Sequence, residues 1–188
     1  MTKRPAPVKK YAALLRGINV GGNKKVPMAE LRSVLEALGH GDVITYLQSG
    51  NAVFSSAEQD PAALAREMEA AVEARFGFPV KILVLDGAYL RAVADACPFP
   101  AAELEGRQLH ATFFSGQPGP ERFAAFDPAA YHPEDYRIGD RVLYLYAPDG
   151  LGRSVLGAAL HKPSVLKGLD ATTRNWNTVV KLVELTAE

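Results

Sequence analysis

The chain has 188 residues, 48% of them apolar, which is enough for one domain or two small ones with real cores. Lys plus Arg and Asp plus Glu number 21 each, so no overall field draws in nucleic acid or a membrane surface, and any polyanion must be met by a local cluster. A single cysteine, Cys97, excludes an internal disulfide framework and fits a reducing compartment, and no run approaches the roughly 20 apolar residues that cross a bilayer.

The first ten residues are basic and carry Pro5 and Pro7, with no following apolar segment of signal-peptide length. They read as a disordered arm of a cytoplasmic protein. Tyr11 to Leu15 reads as a buried strand that empties into Arg16-Gly17-Ile18-Asn19-Val20-Gly21-Gly22-Asn23-Lys24-Lys25, a loop of glycines, amides and cations. Glycine permits positive φ and close approach of a ligand, and the cations supply charge, so this loop favours an anion.

Pro27 opens a helix with Met28, Leu31, Val34, Leu35 and Leu38 on one face, closed by Gly39. Val43 to Leu47 and Asn51 to Phe54 read as a hairpin with Gln48-Ser49-Gly50 at its tip. Asp60-Pro61 signals a second helix with Leu64, Met68, Val72 and Phe76 buried, ended by Gly77 before a strand over Val80 to Leu85. The order is β-α-β-β-α-β, the split βαβ arrangement with two helices on one face of an antiparallel sheet.

A trailing helix from about Asp86 to Ala96 carries Cys97, read as a plain buried thiol, into the Pro- and Ala-rich stretch 98–106. A second unit follows, with a strand over Leu109 to Phe114, a short helix over Pro120 to Phe126, and strands Tyr136 to Ile138 and Val142 to Tyr146 around Gly139-Asp140, a dipeptide suited to a type II′ turn. A helix near Ser154, a short closing strand over Leu169 to Thr172 and a final helix bearing Trp176, Val179, Val180 and Val183 complete it. The domain reading is therefore an arm at 1–10, a first unit at 11–97, a linker at 98–106 and a second unit at 107–188. The halves share topology and no residue-level repeat, so one larger α+β domain is the alternative.

Five ordered motifs carry a resemblance. Leu14-Leu15-Arg16-Gly17-Ile18-Asn19-Val20-Gly21-Gly22, Val26-Pro27-Met28-Ala29-Glu30-Leu31, Gln48-Ser49-Gly50-Asn51-Ala52-Val53-Phe54, Gly152-Arg153-Ser154 and Ala171-Thr172-Thr173-Arg174-Asn175-Trp176-Asn177-Thr178 together resemble the bacterial DUF1697 family, which is defined by a domain of unknown function. The resemblance spans nearly the whole chain after the arm. It implies an α+β fold of two ferredoxin-like (α/β-plait) units, each an antiparallel sheet with helices on one face, plus a C-terminal helix, and it implies no established activity.

Known nucleotide motifs do not fit. Gly17 and Gly22 have the spacing of P-loop glycines, but Asn23 stands where the lysine belongs and no Ser or Thr follows for magnesium. Gly17-Ile18-Asn19 also lacks the second glycine of a dinucleotide fingerprint. An RNA-reading sheet would stack bases on a series of exposed aromatics, and only Tyr11 and Phe54 are available. Apolar residues on both faces of the first strand indicate a covered sheet, so nucleic acid is the less favoured partner.

The structural reading of each polar motif stands beside the functional one. The glycines can simply shape the loop, Gln48-Ser49-Gly50-Asn51 can brace its own turn, Thr172 to Asn175 can cap the last helix with Trp176 in a core, and Ser154 can be an N-cap. Against this stands the joint composition: cations and amides abound in these motifs, while Asp and Glu are absent. That leaves no ligands for a metal, and His40, His110, His132 and His161 fall in no nucleophile pattern and read as surface or satisfied structural residues. Ser49 and Ser154 become nucleophiles only if folding brings them a base. The expectation is a small anionic ligand, a nucleotide or other phosphate-bearing molecule, held in a cleft between the two units with no cofactor. Its site residues would be Arg16, Asn19, Gly21, Gly22, Lys24, Gln48, Ser49, Asn51, Arg153, Ser154, Arg174 and Asn175. An enzyme of unidentified reaction using the same cleft, or an RNA or protein interaction module with structural motifs, are the alternatives.

Overall fold

The structure is a computed structural model in which residues 6–188 are described. The chain forms two compact units, the first comprising residues up to Leu90 together with Leu182–Glu188, the second Arg91–Lys181.

In the first unit, β1 (Lys9–Leu15), α1 (Met28–Ala37), β2 (Gly41–Tyr46), β3 (Asn51–Ser56), α2 (Pro61–Phe76) and β4 (Ile82–Asp86) follow one another. The antiparallel sheet has the order β2-β3-β1-β4. Residues 1–5 of the expected arm lie outside the described residues. Its last two, Lys9 and Lys10, are strand, because β1 is a central strand and Ser56 and Ser55 on β3 supply ladder partners that hold even charged residues extended.

Alternation places Ala13, Leu15, Ala52 and Phe54 in one apolar cluster with Leu31 and Leu35 of α1 and Leu64, Met68 and Val72 of α2. The helices form where sequence signals start and stop them. Asp60 accepts a hydrogen bond from the Ala62 amide, Pro61 fills the first turn, and Gly77 ends α2 in the left-handed region at φ 83°. Pro27 precedes α1 in an extended conformation, and Gly39 follows it at φ 89°. Strand β2 starts two residues earlier than its apolar run, and a register shift between Gly41 and Ile44, with Asp42 at φ 51°, marks a β-bulge on this edge strand.

Helix α3 (Gly87–Asp95) leads out of the first unit. The second unit contains β5 (Leu109–Phe114), β6 (Asp135–Gly139), β7 (Val142–Tyr146), α4 (Val155–Leu160) and β8 (Ala171–Asn175), with the antiparallel order β6-β7-β5-β8. Phe114, Leu143, Leu145 and Ala171 on one face of this sheet join Leu156 and Leu160 of α4 in its core. Helix α5 (Trp176–Thr186) starts directly at the end of β8, and its final residues belong to the first unit, where Lys10 Nζ donates to Ala187 O at 2.8 Å. Cys97 is half-buried, its Sγ 3.7 Å from Phe99 O, and burial raises its pKa.

Three local expectations are corrected in this unit. The segment expected as a helix over Pro120 to Phe126 is a 3-10 turn at Pro120–Arg122, with another at Pro128–Tyr131; Pro128 lacks the amide that would carry a helix on past Phe126, and the segment divides into two short turns. The closing strand lies at Ala171–Asn175, two residues later than expected, where five residues pair with Phe114 back to His110. The β6-β7 turn is not type II′ at Gly139-Asp140: Gly139 pairs with Val142 as the last strand residue, and Arg141 takes the positive φ of 50°.

Candidate functional site

The loop after β1 is a small hairpin of its own. Asn23 N donates to Val20 O at 3.0 Å and Asn19 N to Lys24 O at 3.1 Å, with Gly21 and Gly22 at φ 57° and 77° between them. Two consecutive positive φ values are what a type I′ turn requires, and this accounts for the glycine pair without a ligand. Asn19, itself at φ 55°, braces the base of the loop: its Nδ2 donates to Val26 O at 3.0 Å and Gln48 O at 2.8 Å, and its Oδ1 accepts from Val26 N at 2.9 Å. The Asn19 carboxamide thus ties the loop to the β2-β3 turn.

That turn is also internally held. Asn51 is fully buried, and its Nδ2 donates to Tyr46 O at 2.8 Å and lies 3.3 Å from Ser49 Oγ. Gly50 turns at φ 89°, and a Cβ there would stand 2.6 Å from Ile18 Cδ1 and 2.9 Å from Leu15 Cβ. Gln48 and Ser49 are exposed at the tip.

Cations gather on the other side of the loop. Arg16 is exposed, its main-chain N–H fixed to Lys81 O at 3.0 Å, and its guanidinium takes no hydrogen bond among the described residues. Arg16, Gly17, Lys24, Pro79, Val80 and Lys81 line a groove of about 520 Å³, closed on the α2 side by Glu69 and Glu73. Lys24 Nζ donates to Pro79 O at 3.2 Å. Glu69 is committed to the fold, with Oε1 accepting from Ile82 N at 2.9 Å and Oε2 3.9 Å from Lys81 Nζ. The sequence reading missed Lys81, Glu69 and Glu73; the pairing of β4 with β1 brings Lys81 to the loop, and α2, tied to that strand by Glu69, brings the two carboxylates.

In the second unit the motif residues are largely occupied. Ser154 caps α4, its Oγ accepting from Gly157 N at 2.7 Å, while Glu134 Oε2 accepts from Leu156 N at 2.8 Å. The helix start that would share an external anion with the exposed Arg153 therefore already holds one of the protein's own carboxylates. Asn175 caps α5, accepting at Oδ1 from Thr178 N and Thr178 Oγ1, both at 3.0 Å. Arg174 is 9% exposed, donates from Nη1 to Thr173 O at 3.0 Å, and has its pKa pushed down to about 10 by burial. Trp176 packs near Tyr144 with ring centroids 6.3 Å apart.

Not every histidine is satisfied. His110 is buried in β5 with Nδ1 lacking a hydrogen-bond partner, and burial together with neighbouring His161 pushes its pKa down to about 4. His40 Nε2 is also buried without a hydrogen bond, 3.7 Å from Glu67, its pKa lowered by burial against the pull of that carboxylate. His161 bonds Gly157 O and two threonines. Among the described residues, no three His, Cys, Asp or Glu side chains gather to hold a metal ion, and no helix is long and apolar enough to cross a membrane.

The profile of the DUF1697 family, described as a protein of unknown function, matches residues 8–144, well over half of the chain. The motifs around Arg153 and Arg174 lie beyond that match. No curated protein matches. Among solved structures, the conserved bacterial protein SP0830 from Streptococcus pneumoniae is similar at 24% identity, with 96% of this chain and 100% of that chain covered and a TM-score of 0.77, a likeness of fold alone. The chain belongs to the DUF1697 family.

Proposed function

We propose that this member of the DUF1697 family binds a small phosphate-bearing anion, a nucleotide or sugar phosphate, at the groove beside the glycine loop of its first unit. The observation that carries this reading is the convergence of Arg16, Lys24 and Lys81 on one groove next to Gly17. Glu69 spends its charge on Lys81 and the Ile82 amide, so the cations that remain outnumber the one other carboxylate, Glu73. An anion that replaces water at Arg16 gains charge-assisted hydrogen bonds from a planar five-donor group. The amides support the site from behind, since Asn19 fixes the loop from which Arg16 and Lys24 project.

A ferredoxin-like plait in each unit is part of the same reading. The β-α-β-β-α-β order of the first unit and the matching strand orders of the two sheets support it. So is a cytoplasmic location, which the lone Cys97 thiol suits.

Thermal shift and isothermal titration of the full chain with inorganic phosphate, AMP, ATP, glucose 6-phosphate and a short oligonucleotide test this. A native-state ligand raises the melting temperature, and Arg16→Ala weakens it about tenfold, the share of one charge-assisted hydrogen bond. Log affinity for a nucleic-acid strand falls with log salt by roughly 0.7 to 0.9 per phosphate engaged, and a single nucleotide gives a much shallower slope. Arg153→Ala and Arg174→Ala ask whether cations of the second unit also contribute. The proposal is lost if no probe binds, or if binding is indifferent to Arg16→Ala, Lys24→Ala and Lys81→Ala alike.

A further inference from the structure

We infer that Thr173 and His161 form a nucleophile and general-base pair that accepts acyl groups from activated esters, a site separate from the groove of the first unit. Strand β8 is an edge strand of the second sheet, and Thr173 on it pairs with Thr112 of β5. The two hydroxyl oxygens are 2.8 Å apart, and His161 Nε2 lies 2.8 Å from Thr112 Oγ1 and 3.1 Å from Thr173 Oγ1. His161 Nδ1 is 2.7 Å from Gly157 O. A carbonyl only accepts, so Nδ1 carries a hydrogen, and in the neutral ring Nε2 is left as the basic nitrogen facing the hydroxyls. The Thr173 proton has two routes to that nitrogen, one direct and one through Thr112, and both end at the same lone pair.

Access differs within the cluster. Thr112 is 1% exposed, whereas Thr173 and His161 are half-buried beside the sheet edge. An incoming ester therefore meets Thr173. His110, on the same face of β5 as Thr112, is buried with its Nδ1 unpartnered and stays neutral, so it does not repel the imidazolium that forms at His161. The base is thus held in place by a carbonyl.

In the first step Thr173 Oγ1 forms a bond to the acyl carbon, the ester's alcohol or phenol oxygen departs with the bonding pair, and the hydroxyl proton passes to His161 Nε2. That proton then leaves with the alcohol or to solvent. In the second step water attacks the acyl carbon, gives its proton to Nε2, and Thr173 Oγ1 leaves, taking a proton back.

Incubating the full chain with p-nitrophenyl acetate and mapping acetyl groups by peptide mass spectrometry tests this, with surface lysines reporting background acetylation. Acetyl is expected on Thr173, at a rate that rises with pH and levels off once the imidazole is neutral. His161→Asn should slow that labelling tenfold or more, Thr173→Ser should keep it at residue 173, and Thr173→Val should remove it with the circular dichroism spectrum unchanged. Acetylation confined to lysines in both the native chain and Thr173→Ser overturns the inference, as does undiminished labelling in a folded His161→Asn. Should His161→Asn fail to fold, the pH profile of the native chain decides: a labelling rate that climbs with hydroxide and shows no plateau rejects the pair.

Discussion

Arg16 and Arg174 stand in motifs of similar composition, yet one is exposed on the rim of a groove and the other is 9% exposed within the second unit. The same contrast runs through their surroundings. Around Arg16, the carboxamide of Asn19 holds backbone and the cations project outward; in the second unit, which holds Arg174, Ser154 and Asn175 cap helices and a carboxylate from Glu134 occupies the start of α4. Polar residue type thus says little about ligand binding until it is known which groups the fold has consumed. Amides and hydroxyls are consumed readily, since every loop and helix end offers them unpaired backbone groups. A cation on a long stem can reach past its own backbone to solvent, and burial removes that freedom at Arg174.

Breaking each region in turn separates scaffold from surface. The largest effect belongs to Gly50→Ala, which combines a left-handed backbone with contacts of 2.6 and 2.9 Å to Ile18 and Leu15; it should cost about 3 to 4 kcal/mol in urea unfolding, against about 1 for Gly21→Ala, whose Cβ meets open space. Arg174→Ala follows, at roughly 2 to 3 kcal/mol, through loss of its buried stem and its hydrogen bond to Thr173 O.

His110 sharpens the comparison by pH. Its folded pKa of about 4 lies below the ordinary 6.5, so the unfolded chain binds the proton first as pH falls. Stability is full above pH 6.5 and declines between 6.5 and 4, by about 2 to 3 kcal/mol in all. Urea titrations across that window should show the decline, and His110→Leu should make it shallower, leaving the part that His40 contributes. A native chain with no loss of stability between those pH values would refute the assignment.

Asn19→Ala removes two donated bonds and one accepted bond at a half-buried position and should cost about 2 kcal/mol. Last comes Arg16→Ala, expected to change stability by less than about 0.5 kcal/mol while weakening any ligand of the groove. If instead Arg16→Ala destabilised the chain as much as Arg174→Ala, the distinction between the two arginines would be gone.

Much of the fold was legible because it rests on short-range signals. Asp60-Pro61 and Gly77 bracket α2, the apolar face of α1 repeats at helical spacing, and β5 carries Leu109, Ala111, Phe113 and Phe114 within six residues. Strand β8 was the hardest element to place, since Ala-Thr-Thr-Arg-Asn has no apolar run and is defined by its pairing with β5. The site was legible in its cations and illegible in its depth. Arg16 and Lys24 announce themselves in the loop, but Lys81 just before β4 and Glu69 and Glu73 on α2 meet it only through long-range packing. The Thr112, His161 and Thr173 cluster likewise draws on three separated segments, and no local pattern joins them.

The kink in β2 governs how this molecule behaves in company. A straight outermost strand presents a row of unused amides and carbonyls on which a neighbouring chain can grow, and β2 also carries Ile44 at 45% exposed. The irregularity between Gly41 and Ile44 interrupts that row. Concentrated solutions accordingly depend on Asp42 keeping its unusual backbone geometry, and regularising this edge would favour fibrils before it altered anything in either core.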